Sequence, residues 1–155
     1  MPGSYTRLYI HVVFAPKGRL SIHSQDKREK LLAYITGIIT HLDSHLISGK
    51  VMPDHVHLLV GLHSSLSVSE LVQKVKANSS KHINDEKWFP GRFSWNEGYG
   101  AFSVSQSKLE TVMQYIANQE EHHKKHKLYD EMMSFLKAHG LKTEDSEGFW
   151  MDKPE

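Results

Sequence analysis

Apolar positions follow two rhythms along this chain, and the switches between them mark its elements. Residues 5–14 alternate with period two. Leu8, Ile10, Val12 and Phe14 share one face of a predicted strand, and Tyr9, His11 and Val13 share the other. Ala15-Pro16-Lys17-Gly18 breaks it. Over residues 25–42 the period becomes helical, with Leu31, Leu32, Ile35, Ile38, Ile39 and Leu42 on one stripe. Gly37 lies inside that helix at a cost of about 1 kcal/mol against alanine, so a close packing contact is expected there. Residues 45–52 read as a strand interrupted at Gly49-Lys50. Pro53-Asp54 turns the chain, and the strongly apolar residues 55–62 return as a strand expected at the centre of the sheet. A second helix is expected over residues 67–86. Ser67 and Glu70 form its capping box, Val68, Leu71, Val72 and Val75 its buried stripe, and Lys74, Lys76, Lys81 and His82 a basic side. Residues 101–104 suit a short strand. A third helix is expected from Ser107, as N-cap, to about residue 124, and a last one over residues 129–139, ended by Gly140.

The order β-α-β-β-α-β followed by two helices predicts an α+β fold. It is a ferredoxin-like, split β-α-β antiparallel sheet packed by helices, with an added C-terminal helix bearing Tyr115. Residues 1–155 are expected to form one domain with a polar tail from about 141. No apolar run approaches the ~18 residues of a membrane span, and the opening residues lack the pattern of a signal peptide. These features lead us to expect a cytoplasmic protein that does not enter membranes. The chain has no cysteine, which excludes disulfides and thiolate chemistry. Net charge is only +1, so any hold on nucleic acid must come from a local patch. The twelve histidines are the compositional anomaly.

Four constellations could carry chemistry. In Asp54-His55-Val56-His57, strand geometry turns both imidazoles to one face. That begins a divalent-metal site, and it equally suits two sheet histidines bonded to their neighbours. In Tyr115-Ile116-Ala117-Asn118-Gln119, helical spacing sets the phenol beside an amide oxygen that suits Mg²⁺ or Mn²⁺. The bland alternative is a packed tyrosine and a solvated glutamine. The run of acids and bases over residues 120–127 reads as a solvated helix end that could add phosphate contacts. Residues 88–102 interleave Trp88, Phe89, Phe93, Trp95, Tyr99 and Phe102 with Arg92. Such aromatics can stack on unpaired bases, and about half are expected to fill the core instead. Lys74, Lys76, Lys81 and Arg92 are candidates for contacts to a DNA backbone.

Together these segments resemble the single-tyrosine, IS200-like transposases of bacterial and archaeal insertion sequences, within the HUH (histidine–hydrophobic–histidine) endonuclease superfamily. The matching residues are 11–17 (HVVFAPK), 52–60 (MPDHVHLLV), 93–104 (FSWNEGYGAFSV) and 115–123 (YIANQEEHH), in the family's order. The resemblance implies that His55, His57 and Gln119 hold Mg²⁺ or Mn²⁺ and that Tyr115 is the nucleophile. It implies cleavage and rejoining of single-stranded DNA that carries hairpins at transposon ends. It also implies a homodimer in which the tyrosine serves either its own subunit or the other. Rival readings are a non-catalytic hairpin DNA- or RNA-binding domain, a transposase-derived repressor, or a metal hydrolase that uses activated water. The last is disfavoured because no third acidic or histidine ligand is evident in the sequence.

Overall fold

The computed structural model describes residues 3–18, 20–123 and 128–141; the tail from 142 onward lies outside the described residues. Strands β1 (Tyr9–Phe14), β2 (His45–Met52), β3 (His55–Gly61) and β4 (Gly100–Val104) form one antiparallel sheet in the order β2-β3-β1-β4. Helices α1 (Gln25–His41) and α2 (Val68–Asp85) are the crossovers of the split β-α-β units. Past β4, a 3₁₀ turn at Gln106–Lys108 leads into α3 (Leu109–Ala117), α4 (Gln119–His123) and α5 (Leu128–Ala138).

The period-two pattern of the strands decides which side each residue serves. Val12 and Phe14 of β1, and Val56, Leu58 and Val60 of β3, join Leu31, Ile35 and Ile39 of α1 and Leu71, Val72 and Val75 of α2 in the main core. Each such side chain contributes about 1.5–3 kcal/mol on burial. The alternate residues His11, Val13, His55 and His57 face the other side, also buried. There Val13, Ala15, Phe102 and Met132 make a smaller cluster, against which Leu128 and Phe135 of α5 pack. As expected, β3 is internal to the sheet, and it pairs with β2 through the turn at Pro53-Asp54. Ser24 and Ser67 cap α1 and α2, their hydroxyls accepting from the Lys27 and Glu70 amides.

Several local expectations are corrected. The first strand starts at Tyr9 rather than residue 5, because Gly61 and Val104, the last residues of both neighbours, already lie opposite Tyr9. Strand β2 is not interrupted at Gly49-Lys50; its irregularity is a register shift between Leu46 and Ser48. The close approach expected at Gly37 falls at Gly49 instead. A Cβ there would lie 2.8 Å from Leu32 Cδ1, whereas a Cβ at Gly37 would meet nothing within 4 Å. The third helix does not begin at Ser107. The hydroxyls of Ser105 and Ser107 bond to each other (3.1 Å) while the chain makes a 3₁₀ turn, and Lys108 precedes α3 without a side-chain cap. Nor does that helix run on to 124. Asn118 ends α3, donating its N–H to the Gln114 carbonyl, and a separate short helix begins at Gln119.

All six aromatics of the 88–102 segment pack on the two cores. Phe93 and Trp95 are buried in the main core, with Trp88, Phe89 and Tyr99 against it, and Phe102 lies in the smaller one. The Trp95 indole donates to Ser79 Oγ at 2.9 Å. More of these rings are structural than the half expected.

Candidate active site

Strand β3 delivers both imidazoles to the side away from the main core, and each is held through its Nδ1. His55 Nδ1 lies 2.7 Å from the Asp54 carboxylate. His57 Nδ1 lies 2.8 Å from Nε2 of His11, which β1 places nearby on the same face. Burial, followed by the charge of His139, pushes the His11 pKa down to about 4, so His11 is neutral and can accept. The Nδ1 edge of each ring is thus engaged outward, and each Nε2 edge faces inward.

What these nitrogens meet comes from the C-terminal helices. Gln119, fully buried, sets its Oε1 3.3 Å from His55 Nε2. Its amide nitrogen donates to the Tyr115 carbonyl (3.4 Å) and to Glu131 Oε1 (3.3 Å). Glu131 Oε1 stands 3.2 Å from His57 Nε2. Burial, reinforced by the negative charge of Asp54, raises the Glu131 pKa to about 8. One donor atom each from His55, His57 and Glu131 lies within 4.8 Å of the others. Two imidazole nitrogens, an amide oxygen and a carboxyl oxygen thus lie side by side in one buried cluster, a set that a divalent cation could share. Imidazole nitrogens with amide and carboxylate oxygens form a donor set suited to Mn²⁺ or Mg²⁺.

Tyr115 completes the cluster from α3. Its ring centroid lies 5.8 Å from that of His57, 6.2 Å from His11 and 5.7 Å from Phe135, edge-on in each case. The tyrosine, the glutamine and the histidine pair therefore meet within a single chain. Tyr115 and Gln119 do not share one helix, however; the chain turns at Asn118 between them. Lys50 of β2, an ion-pair partner of Glu120 at 3.3 Å, ties α4 to the sheet.

The four candidate DNA contacts lie elsewhere. Lys74, Lys76 and Lys81 belong to α2, across the sheet from the imidazoles. Lys74 pairs with Glu70 and Lys81 with Asp85 on the exposed helix surface. Lys76 points toward the 88–102 segment, donating to the carbonyls of Asn96 (2.9 Å) and Gly98 (2.5 Å). Arg92 is exposed in that segment. In the 120–127 run, residues 124–127 lie outside the described residues.

Glu131 was missed in the sequence, and His11 was assigned no role. Glu131 carried a signal. It lies on the stripe of α5 that also holds Leu128, Met132 and Phe135, so a carboxylate interrupts an otherwise apolar face. His11 had none, because only strand pairing brings it to His57.

The arrangement is that of a sheet-borne histidine pair with an adjoining tyrosine, and the chain that carries it is similar to known proteins. The model of the family described as "Transposase IS200 like" matches residues 4–119. The ISDra2 transposase TnpA of Deinococcus radiodurans is 24% identical over 124 residues, which is 76% of this chain and 87% of that protein. The transposase for insertion sequence element IS200 of Salmonella typhimurium is 26% identical over 119 residues, 74% of this chain and 78% of that one. Among solved structures, a provisionally assigned transposase from Deinococcus radiodurans R1 superposes with a TM-score of 0.61 at 28% identity, over 77% of this chain and 95% of that chain. A REP-associated tyrosine transposase bound to a REP hairpin shares the fold, with a TM-score of 0.60 at 13% identity, over 79% and 73% of the two chains. The chain belongs to the IS200-like transposase family, the single-tyrosine branch of the HUH superfamily that its motifs resemble.

Proposed function

We propose that this transposase cuts and rejoins single-stranded DNA through Tyr115, assisted by Mg²⁺ or Mn²⁺ at His55, His57 and Gln119. The observation that carries the reading is the edge-on packing of the Tyr115 ring against His57, 5.8 Å between centroids, beside the buried His55–Gln119 and His57–Glu131 contacts. A bound cation would supply polarisation of the scissile phosphate, which lets a phenol with a pKa of about 10 serve as nucleophile. The Tyr115 oxygen attacks phosphorus and the bond to the 3′-oxygen breaks. The phenolic proton passes, in net terms, to the leaving oxygen. The products are a 5′-phosphotyrosine and a free 3′-OH. Attack by another 3′-OH reverses this exchange and joins new ends, and no ATP is required because the phosphodiester energy is conserved in the covalent bond.

His11 and Asp54 fix the rings, and Gln119 bridges the tyrosine helix to the site. Hairpin-bearing DNA is the proposed substrate, supported by the REP hairpin held by the fold relative above. Lys74, Lys81 and Arg92 remain proposed backbone contacts, with Lys76 acting through the loop it anchors. A homodimer is proposed on the family resemblance, and the single chain described above already brings Tyr115 to its own histidines.

The test is a labelled hairpin oligonucleotide with Mn²⁺, read as a covalent adduct on a denaturing gel. Wild-type protein should form it. Tyr115→Phe should lose it while still retarding the hairpin on a native gel, and excess chelator should abolish it. An adduct that persists in Tyr115→Phe refutes the nucleophile, and one indifferent to chelator refutes the metal. Retardation without any wild-type adduct would make the chain a hairpin binder instead.

A further inference from the structure

Glu131 belongs to α5, which starts at Leu128, whereas the family match ends at residue 119. Its surroundings indicate its role. Its neighbours on the inner face of α5 are apolar: Met132 is fully buried, and Leu128 and Phe135 pack on the smaller core. The Glu131 side chain is only 2% exposed. Its polar contacts include the Gln119 amide, which donates to it at 3.3 Å, and His57 Nε2 at 3.2 Å. The same position filled by leucine would simply extend the apolar face.

The spacing supplies the reason for an acid. Glu131 Oε1 is 3.2 Å from His57 Nε2, and Gln119 Oε1 is 3.3 Å from His55 Nε2. Ligand atoms about 2.1 Å from one cation, at adjacent octahedral corners, are separated by about 3 Å. Glu131 thus stands where a ligand stands, at the separation a shared ion would impose. The helix that bears it also covers the nucleophile. Phe135 lies edge-on to Tyr115 and His11 at 5.7 and 5.2 Å and stacks on Phe102 at 5.1 Å.

We propose that Glu131 is a direct ligand of the cation held by His55 and His57, and that this bond docks α5 over the tyrosine. The proposal rests on the metal site argued above. It makes α5 part of the active centre rather than an appendage to it. Binding and docking then favour each other by the same factor, as linkage requires.

Two measurements on the full chain test this: Mn²⁺ affinity from the free-ion electron paramagnetic resonance signal, and hydrogen exchange of residues 128–138 with and without Mn²⁺. Glu131→Gln, which keeps shape and removes charge, should weaken Mn²⁺ binding at least about tenfold. Saturating Mn²⁺ should slow exchange along α5 in the wild type and leave it unchanged in the variant. The wild-type exchange needs no substitution, so a variant that folds poorly does not remove the test. Equal affinities, with α5 exchange indifferent to Mn²⁺, overturn the role of Glu131 and leave the metal site standing. A wild type that binds no Mn²⁺ overturns both.

Discussion

The cationic side chains read as DNA contacts occupy unequal environments, and Lys76 is the clearest case. Its ammonium bonds to two loop carbonyls and lies 5.7–5.8 Å from the ring centroids of Tyr99 and Phe14. Burial lowers its pKa to about 8, with the charge of Glu97 opposing that shift. Between pH 8 and the ordinary lysine value of 10.5, the unfolded chain binds a proton that the folded chain does not. Lys76 therefore adds to stability as pH rises through that window, and its contribution is constant below it. A ¹³Cε titration should show one lysine with a midpoint near 8, absent in Lys76→Met; a single population near 10.5 would contradict the burial argument. At this scale the sequence was informative where chemistry follows local spacing. His55 and His57 face the same way because strands alternate, and that could be read directly. The His11–His57 contact depends on strand register, which no local pattern encodes; Glu131 was marked as an acid on an apolar stripe, but which groups it meets depends on where a distant helix docks.

Among the elements, glycine placement separates two helix-layer contacts that look alike in sequence. Gly37 is exposed on α1 with no neighbour where a methyl would go, while a Cβ at Gly49 meets Leu32, Leu46 and Leu58 at 2.8, 3.3 and 3.4 Å. Gly37→Ala should therefore stabilise the protein by about 0.5–1 kcal/mol in urea unfolding, through helix propensity and a less flexible unfolded chain. Gly49→Ala should show no such gain. Elements with strong periodicity and a capping serine, α1 and α2, were read to within a residue at either end. The tyrosine helix was not. Its start is diverted by the paired hydroxyls of Ser105 and Ser107 and its end by Asn118, residues that bond readily to nearby backbone and polar groups in competition with the helix. The break moved no functional residue away from the site. Gln119 still lies buried beside His55.

For the whole molecule, the sheet divides labour between its two sides. The main core lies under α1 and α2, and the titratable cluster lies under the C-terminal helices. This predicts opposite rankings in two assays. Leu58→Ala, in the main core, should cost about 2–5 kcal/mol in urea and leave Mn²⁺ affinity close to wild type while folded. His55→Ala should cost less in urea measured with EDTA, yet lower Mn²⁺ affinity by an order of magnitude or more. Equal rankings in both assays would show that site and core are not separable. The fold class itself was legible because a βαββαβ order of periodic segments admits few topologies. The covering of the site by α5 was not, since nothing in that helix's own sequence says which surface it covers.

The two-sidedness also bears on how such a protein decays. Substitutions on the histidine side can silence the reaction without opening the main apolar core to water. Chains damaged there would escape the chaperones and proteases that remove unfolded protein. Loss of catalysis would thus leave behind a folded shell of the same shape, persisting beside active copies instead of vanishing with them.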